Sequence, residues 1–84
     1  MTFTSANSED PLVQIKNTTN DANGARLQLV KDKGAAASDN DIVGMIEFVG
    51  DNDAQEQTIL ARVQTEVADA SDGAEGGRLM LGVA

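Results

Sequence analysis

The chain has almost nothing large to bury. Among 84 residues the only aromatics are Phe3 and Phe48, with neither Trp nor Tyr. An aromatic side chain buries roughly 150–250 Å², so without them a core must be assembled from Ala, Val, Leu and Ile alone. A domain of this length hides only a modest fraction of its unfolded surface and is marginal by itself. Small scaffolds make up the difference with disulfides, a metal or self-association. Cysteine is absent, which removes the first route, and histidine is absent too, leaving only carboxylates for a zinc site. Self-association is the remaining route.

The net charge is −8, from fourteen acids against six bases. Binding to nucleic acid requires Lys and Arg to neutralise phosphates, and anionic membranes make the same demand, so neither is an expected partner. No apolar run approaches the ~20 residues of a membrane-spanning helix, and membrane insertion is not expected. Residues 1–10 are polar and acidic, unlike a signal peptide. They read as a flexible arm or linker, with residues 11–84 as one β-rich module.

Five stretches alternate like strands. They are Leu12 to Lys16, Ala25 to Lys31, Ile42 to Val49, Thr58 to Ala68 and Arg78 to Val83. In the third, Ile42, Gly44, Ile46 and Phe48 share one face, and the other carries Val43, Met45, Glu47 and Val49. Apolar residues on both sides predict a strand covered on both faces. The fourth fits two periods. Ile59, Ala61, Val63, Thr65 and Val67 alternate, whereas Ile59, Leu60, Val63, Val67 and Ala70 form a helical stripe. Its β-branched residues favour strand. In the fifth, Leu79, Leu81 and Val83 align. The intervening stretches NTTNDANG, KGAAASDND, GDND and ASDGAEGG are turn-forming, because Gly, Asn, Asp and Ser tolerate positive φ or hydrogen-bond their own backbone. Asn23-Gly24 is a hairpin signal. Short strands separated by turns predict an all-β fold.

No catalytic constellation emerges. Without histidine there is no Ser-His-Asp triad. Glu47 and Glu66 are carboxylates in strands, but a glycosidase pair is expected in a groove lined with aromatic residues, which this chain lacks. Together with Arg62 and Arg78 they are expected to form cross-strand or intersubunit ion pairs that set register. Arg26, Arg62 and Arg78 are further candidates for a ladder of intersubunit pairs. Asp39 with Asp41, and Asp51 with Asp53, are D-x-D pairs without the spacing of a calcium loop. They read as turn formers, with Asp51, Asn52 and Asp53 the first place for a metal if one binds. No enzyme activity, cofactor or metal is expected.

The stretches NGARLQLVKDKG, DNDIVGMIEFVGDNDAQEQTILARVQTEVAD and SDGAEGGRLMLGVA resemble a module of tail-fibre and related virion proteins of tailed bacteriophages. The resemblance runs through Asp41, Gly44, Ile46, Phe48, Gly50 and Asn52. It continues in Ala61, Arg62, Val63, Glu66, Val67, Ala68 and Asp69, and ends in Asp72, Gly73, Gly77, Arg78 and Leu79. It covers roughly residues 12–84, and its positions are structural rather than catalytic. It implies short antiparallel strands in an intertwined, homotrimeric fibre-like assembly of β-prism or β-helix character, located in the virion. In such a shaft each chain buries one strand face against two others, so small apolar residues suffice, and closure removes free edges. Glycines within strands, such as Gly44 and Gly82, fit where another backbone comes close. The interface residues expected on this reading are Leu27, Leu29, Ile46, Phe48, Val63, Val67, Leu79 and Leu81. The implied function is structural: holding three chains in register and presenting neighbouring domains. The alternative is a host-surface-binding or capsid-decoration module whose acidic loops contact glycan or another virion protein. Both a segment of a longer fibre and a short virion protein fit the expectation.

Overall fold

A computed structural model describes residues 1–84. It contains three strands, β1 (Ile42–Asp51), β2 (Gln57–Asp69) and β3 (Gly76–Val83), and no helix. They form one open antiparallel sheet in the order β1-β2-β3. The protein is therefore all-β, and no helix is long and apolar enough to cross a membrane. The central strand is the longest, at 13 residues. The stretch that fits both a strand and a helix is this strand: among its β-branched residues, Val63 and Thr65 have pairing partners on both sides.

Turn chemistry explains the two hairpins. After β1, the Asn52 side-chain Oδ1 accepts the N–H groups of Ala54 and Glu56, each at 2.9 Å. The Asn52 N–H donates to the Glu56 carbonyl at 2.9 Å, and Gln55 takes a left-handed φ of 64°. Asn52 thus serves three backbone groups of a tight turn. After β2, Asp69 Oδ1 accepts the Ser71 N–H at 2.9 Å, and Gly73 supplies a φ of 81° that other residues rarely adopt.

Three register shifts interrupt the ladder, and two of them correct the alternation expected from sequence. Gly44 pairs with Thr65, but Ile42 pairs with Glu66, the next residue of β2. Val43 is the extra residue, so Ile42 lies on the face opposite Gly44 rather than beside it. Farther along, Phe48 pairs with Ala61 and Val49 with Ile59, leaving Leu60 extra. Ile59 consequently leaves the face of Ala61 and Val63. The third shift lies between Val67 and Asp69.

Residues 1–41 contain no strand, which corrects the expectations for Leu12 to Lys16 and Ala25 to Lys31. Asn23-Gly24 makes no hairpin. Asp21 Oδ1 accepts the Asn23 N–H instead, and Asn17 and Asp32 close similar short turns on Thr19 and Gly34. Period-two alternation specifies which face a strand would bury, but not where its backbone finds a partner, and here the chain supplies none.

The leader, residues 1–41, hydrogen-bonds to the sheet at one place. The Asn40 N–H donates to the Val67 carbonyl at 2.7 Å, the Val67 N–H to the Asp41 carbonyl at 2.8 Å, and the Ala70 N–H to Asp39 Oδ1 at 2.9 Å. Residues 39–41 are thereby fixed to the end of β2, and β1 starts from there.

Nothing in this arrangement makes a core. No apolar residue is buried, and the one buried residue is Gln64. β1 is not covered on both faces within its own chain, contrary to the expectation from its sequence. The accessible surface is 7429 Å² for 8.8 kDa. A compact monomer of that mass exposes about 4,800 Å². The radius of gyration is 17.3 Å, against about 12 Å for a compact domain of this length. There are 27 backbone–backbone hydrogen bonds, where about 55–60 are usual at this size.

Candidate functional site

The two faces of the sheet differ in chemistry. Residues paired directly across an antiparallel sheet share a face. One face carries three rows: Gly44, Thr65 and Leu79; Ile46, Val63 and Leu81; Phe48, Ala61 and Val83. Val67, opposite Gly77, extends it. Thr65 is the only polar side chain among them. This face stands open, with Phe48 56% and Leu81 76% exposed. Contiguous apolar surface of this kind is a candidate interaction site.

Six of the eight residues expected at an interface, Ile46, Phe48, Val63, Val67, Leu79 and Leu81, come together here. Leu29 joins them from the leader. A Cβ placed on Gly44 would lie 3.0 Å from Leu29 Cβ, so the missing side chain makes the room that Leu29 uses. The close approach expected at Gly44 is thus made by a side chain of the same molecule rather than by a backbone. Leu27 is 68% exposed and lies apart from the sheet in the unpaired leader.

The opposite face is mixed, with its charged and amide groups set among Ile42, Met45, Met80 and the Val49–Ile59 pair. Its rows are Met45, Gln64 and Met80, then Glu47, Arg62 and Gly82, then Ile42, Glu66 and Arg78. Arg78 donates to Glu66 Oε2 at 3.0 Å across the β2–β3 pair, and Gln64 donates to Glu66 Oε1 at 3.0 Å. Glu66 accepts from both, and two methionines flank Gln64. The Glu66–Arg78 pair is the cross-strand ion pair anticipated from sequence. Glu47 and Arg62 also stand opposite each other but are not within ion-pair distance. Arg62 turns the other way: a Cβ on Gly82 would meet its Cγ at 3.8 Å, so the glycine gives room for the arginine stem. The sequence marked Glu66 and Arg78 but missed Gln64, which alternation alone assigns to a solvated face.

The acidic loops are tied into the backbone. Asp41 Oδ2 accepts from Lys33 Nζ at 2.8 Å and from the Ser38 N–H at 2.9 Å. The Lys33 bond is the main reason its carboxyl is held below the usual range, helped by Ser38 and opposed by partial desolvation. Asp69 is lowered chiefly by the Ser71 N–H, and Glu75 by its own N–H and that of Gly73. Asp39 and Asp41 thus serve different backbone groups rather than converging on a point. No three acidic side chains are grouped as a metal site would require, at Asp51–Asp53 or elsewhere.

The surface with functional character is therefore the apolar sheet face, and what it offers is area for association. Comparison with protein-family profiles, characterised proteins and solved structures finds no match to this chain.

Proposed function

We propose that the chain is a structural trimerisation module, acting as a shaft segment of a virion fibre of the tailed-phage kind. It holds three chains in register and presents the domains beside it. The observation that carries self-association is the surplus of exposed surface. The accessible area is 7429 Å², about 2,600 Å² more than a compact monomer exposes. If one neighbour covered it, the interface would bury about 5,200 Å² in total, at the upper end of the range for obligate homo-oligomers. If two neighbours shared it, each interface would bury about 2,600 Å², well inside that range.

Chemistry points the same way. A face built from Ile46, Phe48, Val63, Leu79, Leu81 and Val83 is matched by another copy of itself, the partner present at the same concentration wherever the chain is made. A shared core also answers the shortage of large side chains, because three thin apolar faces together make a core that one cannot. The fibre context rests on the sequence resemblance. Purified phage particles labelled with antibody against this chain test it. Label along a tail or head fibre in electron micrographs is the expected result, and particles free of the chain would exclude a virion role.

A further inference from the structure

We infer that the leader segment 25–31 acts as a donated strand, pairing with the outer edge of β1 in a neighbouring copy. This rests on the self-association proposed above and says how the copies interlock.

Three observations converge on it. The first is unpaired backbone on both partners. None of the N–H or C=O groups of residues 25–31 bonds to backbone of its own chain, although the sequence ARLQLVK alternates as a strand does. The outer edges of β1 and β3 are equally free. β1 has no Lys or Pro to discourage pairing, and an open edge of this kind accepts an added strand.

The second is charge, which is divided sharply along the chain. Residues 11–37 carry four bases (Lys16, Arg26, Lys31, Lys33) and two acids, net +2, while residues 38–84 carry ten acids and two bases, net −8. Segment 25–31 brings Arg26 and Lys31 and no acid. β1 holds Glu47 and Asp51 and no base, whereas β3 holds Arg78 and no acid. Complementarity selects β1 over β3, and a basic leader over an acidic sheet is stabilised only by opposite charge brought together.

The third is the seat of Leu29 over Gly44 on the apolar face of its own sheet. In extended backbone Ala25, Leu27 and Lys31 point the same way as Leu29, and Arg26 points to the other side. When a neighbour's sheet packs over this face, a strand added to that sheet presents Leu27 and Leu29 inward to the donor's own apolar face. Arg26 then lies on the outer face, the one that carries Glu47. One placement therefore pairs the backbone, buries the leucines and sets Arg26 on the side of Glu47, with Lys31 at the end of the strand.

The chain has no native cysteine, so introduced thiols report proximity cleanly. Single variants Gln28→Cys and Val49→Cys are mixed and treated with a short bis-maleimide, and cross-linked peptides are identified by mass spectrometry. The expected result is a link between the thiol introduced at position 28 of one copy and the thiol introduced at position 49 of another. Its yield should fall roughly fivefold or more when Arg26 and Lys31 are changed to Glu, and recover when Glu47 and Asp51 are also changed to Lys. Independently, hydrogen exchange on the unaltered chain should show slowed amides over residues 25–31 in the assembled state and fast ones after dilution. A sample that light scattering finds assembled, but that gives neither the inter-copy link nor slowed exchange, overturns strand donation and leaves self-association standing. A sample monomeric at every concentration overturns both.

Discussion

Leu81 stands in the middle row of the apolar face, on the edge strand β3, and is 76% exposed in the single chain. Leu81→Ala removes three carbon atoms. At about 0.8 kcal/mol per buried methylene, scaled by the exposed fraction, covering them contributes about 2 kcal/mol per chain. A trimer loses this three times, about 6 kcal/mol in all. The concentration at half-assembly follows the square root of a monomer–trimer dissociation constant. Since 1.4 kcal/mol is a factor of ten, the midpoint should rise about a hundredfold. Sedimentation equilibrium measures it, in urea if the unaltered trimer is too tight to dissociate in buffer. If Leu81 remained in water, truncation would change stability by less than about 0.5 kcal/mol. A midpoint that shifts less than about threefold would refute the claim that this face is covered by other copies.

Other consequences follow from the geometry. Gly44→Ala should cost about 1 kcal/mol or more, because its Cβ would stand 3.0 Å from that of Leu29; urea unfolding should show much of the loss restored by adding Leu29→Ala. In a double-mutant cycle on Glu66→Gln and Arg78→Ala, the coupling should stay below about 1 kcal/mol, since Arg78 is half exposed in the pair; a larger value would mean that another copy covers the pair. Asp41, Asp69 and Glu75 have carboxyls lowered by hydrogen bonds in the folded chain. Their contribution is therefore fully present above the ordinary carboxylate range, near pH 4, and is lost as pH falls through their lowered values. Melting temperature followed from pH 6 to pH 2 should drop in that lower window, and Asp41→Asn should flatten the drop.

Much of the sheet was legible in the sequence because its signals are local. Asn52, and Asp69 with Gly73, mark turns whose chemistry is local. The alternation of Ile46 and Phe48, Val63 and Val67, and Leu79 and Leu81 places these residues on one face without reference to their partners. The register shifts were not legible. Val43 and Leu60 are apolar and β-branched or bulky, as ordinary strand residues are, and only the pairing with β2 reveals that each is an extra residue. Segments 12–16 and 25–31 failed for a different reason. Their alternation is real, but a strand also needs a backbone partner, and no free edge of the same chain reaches them. That same gap identifies the segment argued above to pair between copies. The apolar face was legible as composition before it was visible as geometry: a chain with so few large side chains cannot bury them in a core of its own.

The central claim is that the chain completes its fold with copies of itself, and the solution mass tests it most directly. Size-exclusion chromatography with light scattering over a range of concentrations should give three times 8.8 kDa, falling toward the single-chain mass only on dilution. A compact particle of one chain mass at every concentration would contradict it, because the apolar face would then be stable in water without a partner.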